Sequence, residues 1–201
     1  QFKQPQFRAG ETIRLETRAM ACHFSVVLNP GEQGRLWLAS DALELVHEIE
    51  QQLTVYRDDS EMSQLNCSAA EAPVVVHERL FGLLKTCREL AELTDGAFDP
   101  TSGPLIALWR RCREAGRIPT DAEVTECRTQ TGMSHITLDD QTQTVRFDRA
   151  GVELNAGGIG KGFALDRSAE QLIANRMTGF LLHGGHSSVL ANGGHCDQDG
   201  W

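Results

Sequence analysis

The chain changes several times between the alternating hydrophobic pattern of strands and the three-to-four-residue spacing of helices. Residues 12–29 alternate in part, which predicts two strands or one long bent strand. Residues 34–53 and 78–94 each carry one apolar stripe at helical spacing, so both are predicted as amphipathic helices. The stripe of the first helix is Ala39, Leu43, Val46, Ile49 and Leu53, and that of the second is Leu80, Leu83, Leu84, Cys87 and Leu90 or Ala91.

The remaining segments give shorter signals. Thr120 stands three residues before Glu123, which is the capping-box signature of a third helix within residues 117–127, and residues 162–177 predict a fourth. Strands are predicted at 73–77, three times within 135–155, and twice within 179–194. Residues 54–66 are polar and aperiodic, which predicts a loop, and residues 94–109 are turn-rich and then apolar. Hairpins among the strands favour an α+β fold, with mixed or antiparallel sheets and packed helices, over a doubly wound parallel sheet.

Composition sets broad limits. The chain has 201 residues, 40% of them hydrophobic, and a formal net charge of -9, which is ordinary for a globular protein and favours one domain over residues 1–201. An acidic chain lacks the basic face on which nucleic-acid binding depends, so no nucleic-acid partner is expected. It contains no run of eighteen apolar residues and no signal segment, although it begins at Gln1. The six cysteines form no C-x-x-C pair, and we expect mostly buried thiols.

The stretch "ELNAGGIGKGFALD", residues 153–166, places four glycines around Lys161 between an apolar run and a predicted helix. Its spacing fits neither the P-loop nor the dinucleotide-binding fingerprint. Glycines nevertheless let a backbone approach a ligand closely, and free amides at a helix start favour anions. Two interpretations stay open from the residues alone, an anion site that uses Lys161 and a glycine-rich turn with a solvated lysine.

Two other strings could contact a flat ligand. "TDGAFDP", residues 94–100, holds Phe98 between two turns, where it could form an apolar wall beside the carboxylate of Asp99. The alternative is a capping loop whose Phe98 fills the core. Tyr56, the only tyrosine, could stack on a planar ring, or it could belong to a surface loop with an Asp/Ser cap before a helical turn.

Five strings, in order, resemble the FAD:protein FMN transferases, the ApbE-type flavin transferases. They are "MACHF", "LTVYRDDSEMSQLN", "TDGAFDPTSGPLIALW", "LNAGGIGKGFALD" and "LLHGGHSSVLANG", and the resemblance runs from Met20 to Trp201. It implies an ApbE-like, T-fold-related architecture. It also implies an enzyme that binds FAD and Mg²⁺, transfers FMN to a threonine of an acceptor flavoprotein and releases AMP.

The resemblance assigns ligand contacts residue by residue. The matched flavin-contact positions are Met20, Tyr56, Ala97, Phe98, Asp99, Asn155 and Lys161, and the matched main-chain metal ligand is Gly158. Asn66 is expected to shape the flavin pocket. Four positions depart from the usual pattern: Ala21-Cys22 replaces Gly-Thr, Asn155 replaces an aspartate, and His186 replaces an aspartate or asparagine.

Members of this family continue well beyond the position of Trp201, and the resemblance places the catalytic base and the metal-binding side chains in that part. We therefore expect a C-terminally truncated fragment that is inactive alone. The family is mostly exported to the periplasm and anchored to the membrane by a lipid, in a segment that would precede Gln1. An FAD pyrophosphatase that yields FMN and AMP, and a flavin-binding protein without turnover, remain as alternatives.

Overall fold

A computed structural model describes residues 11–185, 187–196 and 198–201. Contacts between Cα atoms divide these residues into two compact units. The first unit comprises residues 11–50 and the described residues from Ile159 to Trp201, and the second comprises Gln51–Gly158. The single domain expected over residues 1–201 stays a prediction.

The described residues form seven strands, six α-helices and three short 3₁₀ segments. The strands are β1 (Ile13–Ala19), β2 (Cys22–Leu28), β3 (Val74–Val75), β4 (Ile136–Asp139), β5 (Thr144–Phe147), β6 (Phe180–Gly184) and β7 (Ser188–Asn192). The α-helices are α1 (Leu36–Leu53), α2 (Glu61–Ser68), α3 (Glu78–Leu93), α4 (Gly103–Glu114), α5 (Asp121–Thr129) and α6 (Gly160–Ala174). The 3₁₀ segments are Glu32–Arg35, Met133–His135 and Ala156–Gly158.

The first unit contains an antiparallel sheet of order β1-β2-β6-β7. Residues 12–29 form two strands joined at a tight turn, with Ala19 opposite Cys22. The prediction of two strands is thus confirmed over that of one long bent strand. The two strands predicted within residues 179–194 are β6 and β7, and the chain turns between them after Gly184. Gly184 lies opposite Phe24, and a Cβ at this glycine would fall 2.7 Å from the Phe24 ring. Gly185 has a φ of 66°, which turns the chain into β7.

Helices α1 and α6 supply the helical part of the same unit. The predicted apolar stripe of α1 is buried, and Ser168 of α6 donates a 3.0 Å hydrogen bond to the carbonyl oxygen of Ala42 in α1. Thr17 of β1 and His47 of α1 are joined by a 2.6 Å hydrogen bond. The core combines buried side chains of one sheet face with those of the two helices, including Phe24, Leu28, Val46, Ile49, Leu172 and Phe180.

The second unit contains an antiparallel sheet of order β3-β5-β4 and the helices α2 to α5. The capping box of α5 is confirmed, since the Glu123 amide donates to Thr120 Oγ1 and the Glu123 carboxylate accepts from the Thr120 amide. Helix α3 follows the predicted stripe, and Gly96 beyond its end has a φ of 78°. The antiparallel sheets and packed helices of both units confirm the predicted α+β class.

Two predictions for the second unit were wrong, and one helix was not anticipated. Residues 61–68 form helix α2 instead of a loop, because Ser60 caps the amide of Ser63 and two apolar side chains are buried. Residues 151–155 form no third strand, since Glu153 makes only an isolated bridge to Ser102. The apolar segment after the 94–102 turns is helix α4, and Pro104 in its first turn was the available sequence signal.

The expectation of mostly buried thiols was also wrong. Only Cys87 and Cys112 are buried, Cys22 and Cys127 are half-buried, and the others are exposed. Burial raises the pKa of the Cys87 thiol to about 12, so that thiol is inert at neutral pH. Within the described residues, no helix combines the length and the hydropathy that a membrane crossing requires.

Candidate functional site

The loop after α3 has a fixed conformation held by its own polar side chains. Asp99 Oδ1 accepts from the backbone amide of Thr101 at 2.8 Å and from its hydroxyl at 2.6 Å. The buried Thr101 hydroxyl also accepts from the amide of Gly132 at 2.6 Å. The Phe98 amide donates to Thr94 Oγ1 at 3.0 Å, and Phe98 is half-buried rather than sealed in the core. The ring and the Asp99 carboxyl group can therefore both reach a ligand.

The segment before the glycines lies against this loop. The amide of Asn155 donates to the carbonyl oxygen of Pro100 at 2.7 Å, which joins the segment to the residue after Asp99. Asn155 Oδ1 accepts from the amide of Gly157 at 2.8 Å, so its side-chain NH₂ is the group left for a ligand. A Cβ at Gly158 would lie 3.6 Å from the Phe98 ring, which places this exposed glycine beside the aromatic wall.

Asn66 fixes the same segment from the side of α2. Its Nδ2 donates to the carbonyl oxygen of Leu154, and its Oδ1 accepts from the Leu154 amide, each at 2.9 Å. Leu154 has no exposed surface, and Asn155 follows it directly. Asn66 thus replaces the strand partner that residues 151–155 lack, and it sets the position of Asn155.

Tyr56 precedes α2 and is 74% exposed. The guanidinium carbon of Arg110 in α4 lies 5.6 Å from the centre of its ring, within cation–π range. One ring face is therefore taken by a cation, and the exposure leaves room for a planar ligand. Arg110 could not be predicted as a partner of Tyr56, because no local sequence pattern relates the two residues.

In the first unit, Met20 and Ala21 form the two-residue turn between β1 and β2. Both have left-handed backbone angles, with φ of 48° and 58°. The Met20 amide donates to Glu50 Oε1 at 2.5 Å. Ala21 occupies a backbone conformation that glycine adopts without strain. Alanine in place of the usual glycine therefore puts strain into this turn.

Helix α6 of the first unit begins with Gly160, Lys161 and Gly162. The first amides of a helix have no partner within it, and Ile159 at the cap position has no side-chain acceptor to offer them. The first turn carries no acidic residue. Burial raises the pKa of Cys22, while the nearby Lys161 ammonium opposes the shift and Glu50 adds to it. Lys161, Glu50 and Cys22 are therefore electrostatic neighbours beside the Met20 turn.

Comparison with known proteins decides the family. A family model described as the ApbE family matches residues 19–201. The chain belongs to the ApbE family.

Curated relatives of this ApbE chain are named FAD:protein FMN transferase. That of Vibrio cholerae is 29% identical over 179 residues, which cover 87% of this chain and 53% of the relative. That of Klebsiella pneumoniae is 30% identical over 154 residues, which cover 76% and 49% of the two chains. This chain spans about half the length of the curated relatives that it matches.

Solved structures show that the fold is that of ApbE proteins. The ApbE protein of Thermotoga maritima has a TM-score of 0.81 at 29% identity, covering 91% of this chain and 59% of that one. A variant of the flavin transferase ApbE of Vibrio cholerae has a TM-score of 0.84 at 27% identity, covering 95% and 66%. The predicted ApbE-like architecture is thus confirmed.

The residues assigned by the ApbE resemblance fall into two groups. The second unit holds Tyr56, Ala97, Phe98, Asp99, Asn155 and Gly158, and the first unit holds Met20 and Lys161. Ala97 is exposed, and its amide donates to the carbonyl oxygen of Thr94 at 3.0 Å. His186 lies outside the described residues. The residues that the sequence did not reveal as part of these groups are Glu50, Thr101 and Arg110.

These groups fit a flavin nucleotide by their chemistry. An aromatic wall beside an exposed glycine suits a planar ring, and free helix amides with a lysine suit a pyrophosphate. For a hard cation, the exposed Gly158 offers a main-chain oxygen. Among the described residues, no group of three or more His, Cys, Asp or Glu side chains could hold a metal ion.

Proposed function

We propose that the protein is an FAD:protein FMN transferase, which moves FMN from FAD onto a threonine of an acceptor flavoprotein and releases AMP. The main observation behind this proposal is the start of α6, where the first helix amides are unpaired and Lys161 belongs to the same turn. The chain that carries this helix start belongs to the ApbE family. A cation at a helix N-terminus is unfavourable by itself, and a bound phosphate makes it favourable. The names of the curated relatives support the same activity.

In this proposal, the residues of the second unit bind and orient the flavin half of FAD. Phe98 and Tyr56 offer ring faces, Asp99 and the NH₂ group of Asn155 offer hydrogen bonds, and the short side chain of Ala97 leaves space. In the first unit, Met20 contacts the flavin, and Lys161 with the amides of α6 binds the pyrophosphate. These contacts hold FAD for attack on its pyrophosphate by the acceptor hydroxyl.

We also propose Mg²⁺ as the metal, with the carbonyl oxygen of Gly158 as one ligand. Held there, Mg²⁺ would supply positive charge opposite the negative charge that develops on the departing AMP. The side chain of Asn155 is a neutral amide and brings no charge to this region, and its oxygen already accepts from the Gly157 amide. Lys161 is then the positively charged side chain that the protein itself provides for the phosphates.

The test is a product assay by mass spectrometry. Both the 201-residue chain and a longer form that continues past Trp201 are incubated with FAD, Mg²⁺ and an apo-flavoprotein that bears the target threonine. An acceptor that gains one FMN, with release of AMP, supports the transferase. Free FMN with AMP would make the protein an FAD pyrophosphatase, and intact FAD bound without turnover by both forms would make it a flavin-binding protein. Either result would overturn the proposal.

A matched pair of lysine variants tests the phosphate contact. Lys161→Met should weaken FAD binding roughly tenfold or more, because a hydrogen bond to a charged group contributes about 1.5–3 kcal/mol. Lys85→Met is the control, since Lys85 pairs with Asp140 at 2.7 Å on the exposed side of α3. Equal FAD affinity in the two variants would contradict the role of Lys161.

A further inference from the structure

The turn between β1 and β2 is built from residues that do not favour its backbone conformation. Type I′ hairpin turns select asparagine and glycine because both central residues have positive φ. This turn has Met20 at 48° and Ala21 at 58°. Backbone strain of this kind persists where surrounding contacts hold it in place. The question is which contact holds the turn.

Glu50 in α1 supplies the contact that holds this turn. Glu50 lies in the last turn of the helix, where the negative end of the helix dipole disfavours a carboxylate. Its side chain reaches the β1–β2 turn instead, and Oε1 accepts the Met20 amide at 2.5 Å. Oε2 lies 3.9 Å from Nδ1 of His47, whose other ring nitrogen bonds to Thr17 of β1 at 2.6 Å. One face of α1 thus holds both β1 and the turn that follows it.

We propose that Glu50 is a positioning residue of the flavin site, whose carboxylate holds Met20 and Ala21 in the left-handed conformation that presents Met20 to FAD. The inference rests on the proposed function, because Met20 contacts the flavin only there. It assigns to Glu50 a role that acts through the Met20 amide, without contact to the ligand.

The charges around the turn support a local role. The Lys161 ammonium and the Glu50 carboxylate influence Cys22, two residues after Met20, in opposite directions. The turn therefore lies beside the lysine proposed to bind the pyrophosphate. A displaced turn would alter the surroundings of that lysine as well as the position of Met20.

The test compares Glu50→Ala, Glu50→Gln, Ala21→Gly and the double variant Glu50→Ala/Ala21→Gly. FAD affinity is measured by flavin fluorescence, and hydrogen exchange of the Met20 amide is measured by NMR. Glu50→Ala should weaken FAD binding and speed this exchange, each roughly 10–100-fold, as expected for loss of a charge-assisted hydrogen bond. Glu50→Gln should lose much less than Glu50→Ala, because its amide oxygen accepts the same N–H, although without the charge. The double variant should recover most of the FAD affinity that Glu50→Ala loses, because glycine adopts the turn without strain.

Alkylation of Cys22, followed by peptide mass spectrometry, separates charge from hydrogen bonding. Removal of the carboxylate lowers the pKa of Cys22 and increases its thiolate fraction, so Glu50→Ala and Glu50→Gln should both react faster than wild type. FAD affinity and Met20 exchange should change much more in the alanine variant than in the glutamine variant. Glu44→Ala, on the exposed side of the same helix, is the control and should match wild type in all three readouts.

Failure of wild type to bind FAD would refute the proposed function, and the exchange data would still test the hold on the turn. The inference is overturned if Glu50→Ala leaves Met20 exchange unchanged, or if Glu50→Gln loses as much FAD affinity as Glu50→Ala. It is also overturned if the double variant shows no recovery, since the loss would then not pass through the turn.

Discussion

Replacing Asn66 by alanine should destabilise the second unit and weaken FAD binding together. The substitution removes two 2.9 Å hydrogen bonds to Leu154, a residue with no exposed surface. Each bond contributes about 1 kcal/mol net, and burial makes the unpaired backbone groups costlier, so we expect a loss of about 2–3 kcal/mol. For a chain of this size, that lowers Tm by about 4–12 °C. Asn155 follows Leu154, so the contact that we propose between Asn155 and the flavin should move with it.

Two further variants sharpen this prediction. Asn66→Asp keeps the acceptor for the Leu154 amide but places a carboxylate against the Leu154 carbonyl oxygen, so it should be at least as unstable as Asn66→Ala. Asn175→Ala removes a 2.9 Å bond to Gln171 on an exposed helix end and should cost about 0.5 kcal/mol or less. Urea unfolding and FAD titration measure both effects. A stability of Asn66→Ala within about 0.5 kcal/mol of wild type would refute the reasoning.

Three other predictions concern single positions. Ala21→Gly should stabilise the protein by about 0.5–1 kcal/mol, since it relieves a φ of 58°; an unchanged urea midpoint would contradict this. Gly158→Ala should fold normally, because its Cβ meets only Phe98 at 3.6 Å, yet weaken FAD binding in an equilibrium titration; unchanged affinity would show that no ligand approaches this glycine. Arg117 holds the folded-state pKa of Glu123 at about 2, below its ordinary value of 4.5, so this contribution to stability is complete above pH 4.5 and is lost as the pH falls towards 2. Acid unfolding followed by circular dichroism should show a smaller change over that range in Glu123→Gln.

Elements with local signals could be predicted from the sequence. Helices α1 and α3 carry long apolar stripes, and α5 carries a capping box whose partners are three residues apart. The break at Gly184-Gly185 and the stop at Gly96 depend on backbone angles that glycine adopts most easily. The string "LNAGGIGKGFALD" likewise carried its signal in residues adjacent in the chain, which left an anion site and a glycine-rich turn as alternatives.

Shorter or unpaired elements could not be predicted in this way. Helix α2 buries only Met62 and Leu65, too few positions to establish a period. Residues 151–155 have the apolar composition of a strand, but the backbone of Leu154 bonds to a side chain instead of a neighbouring strand. Burial of the thiols could not be predicted either, because it depends on where the segment that carries each cysteine packs and not on the residue type.

The sequence by itself determined the family, the α+β class and the residue types that suit FAD, because these depend on composition and on neighbours a few positions apart. The tertiary structure decided which distant groups hold the candidate site residues in place. Asn66 reaches Leu154 across 88 positions, and Glu50 reaches Met20 across 30. A hydrogen bond depends on the distance between two atoms in space. Periodicity along a chain reports only which residues share a face, so these partners became visible only in the folded protein.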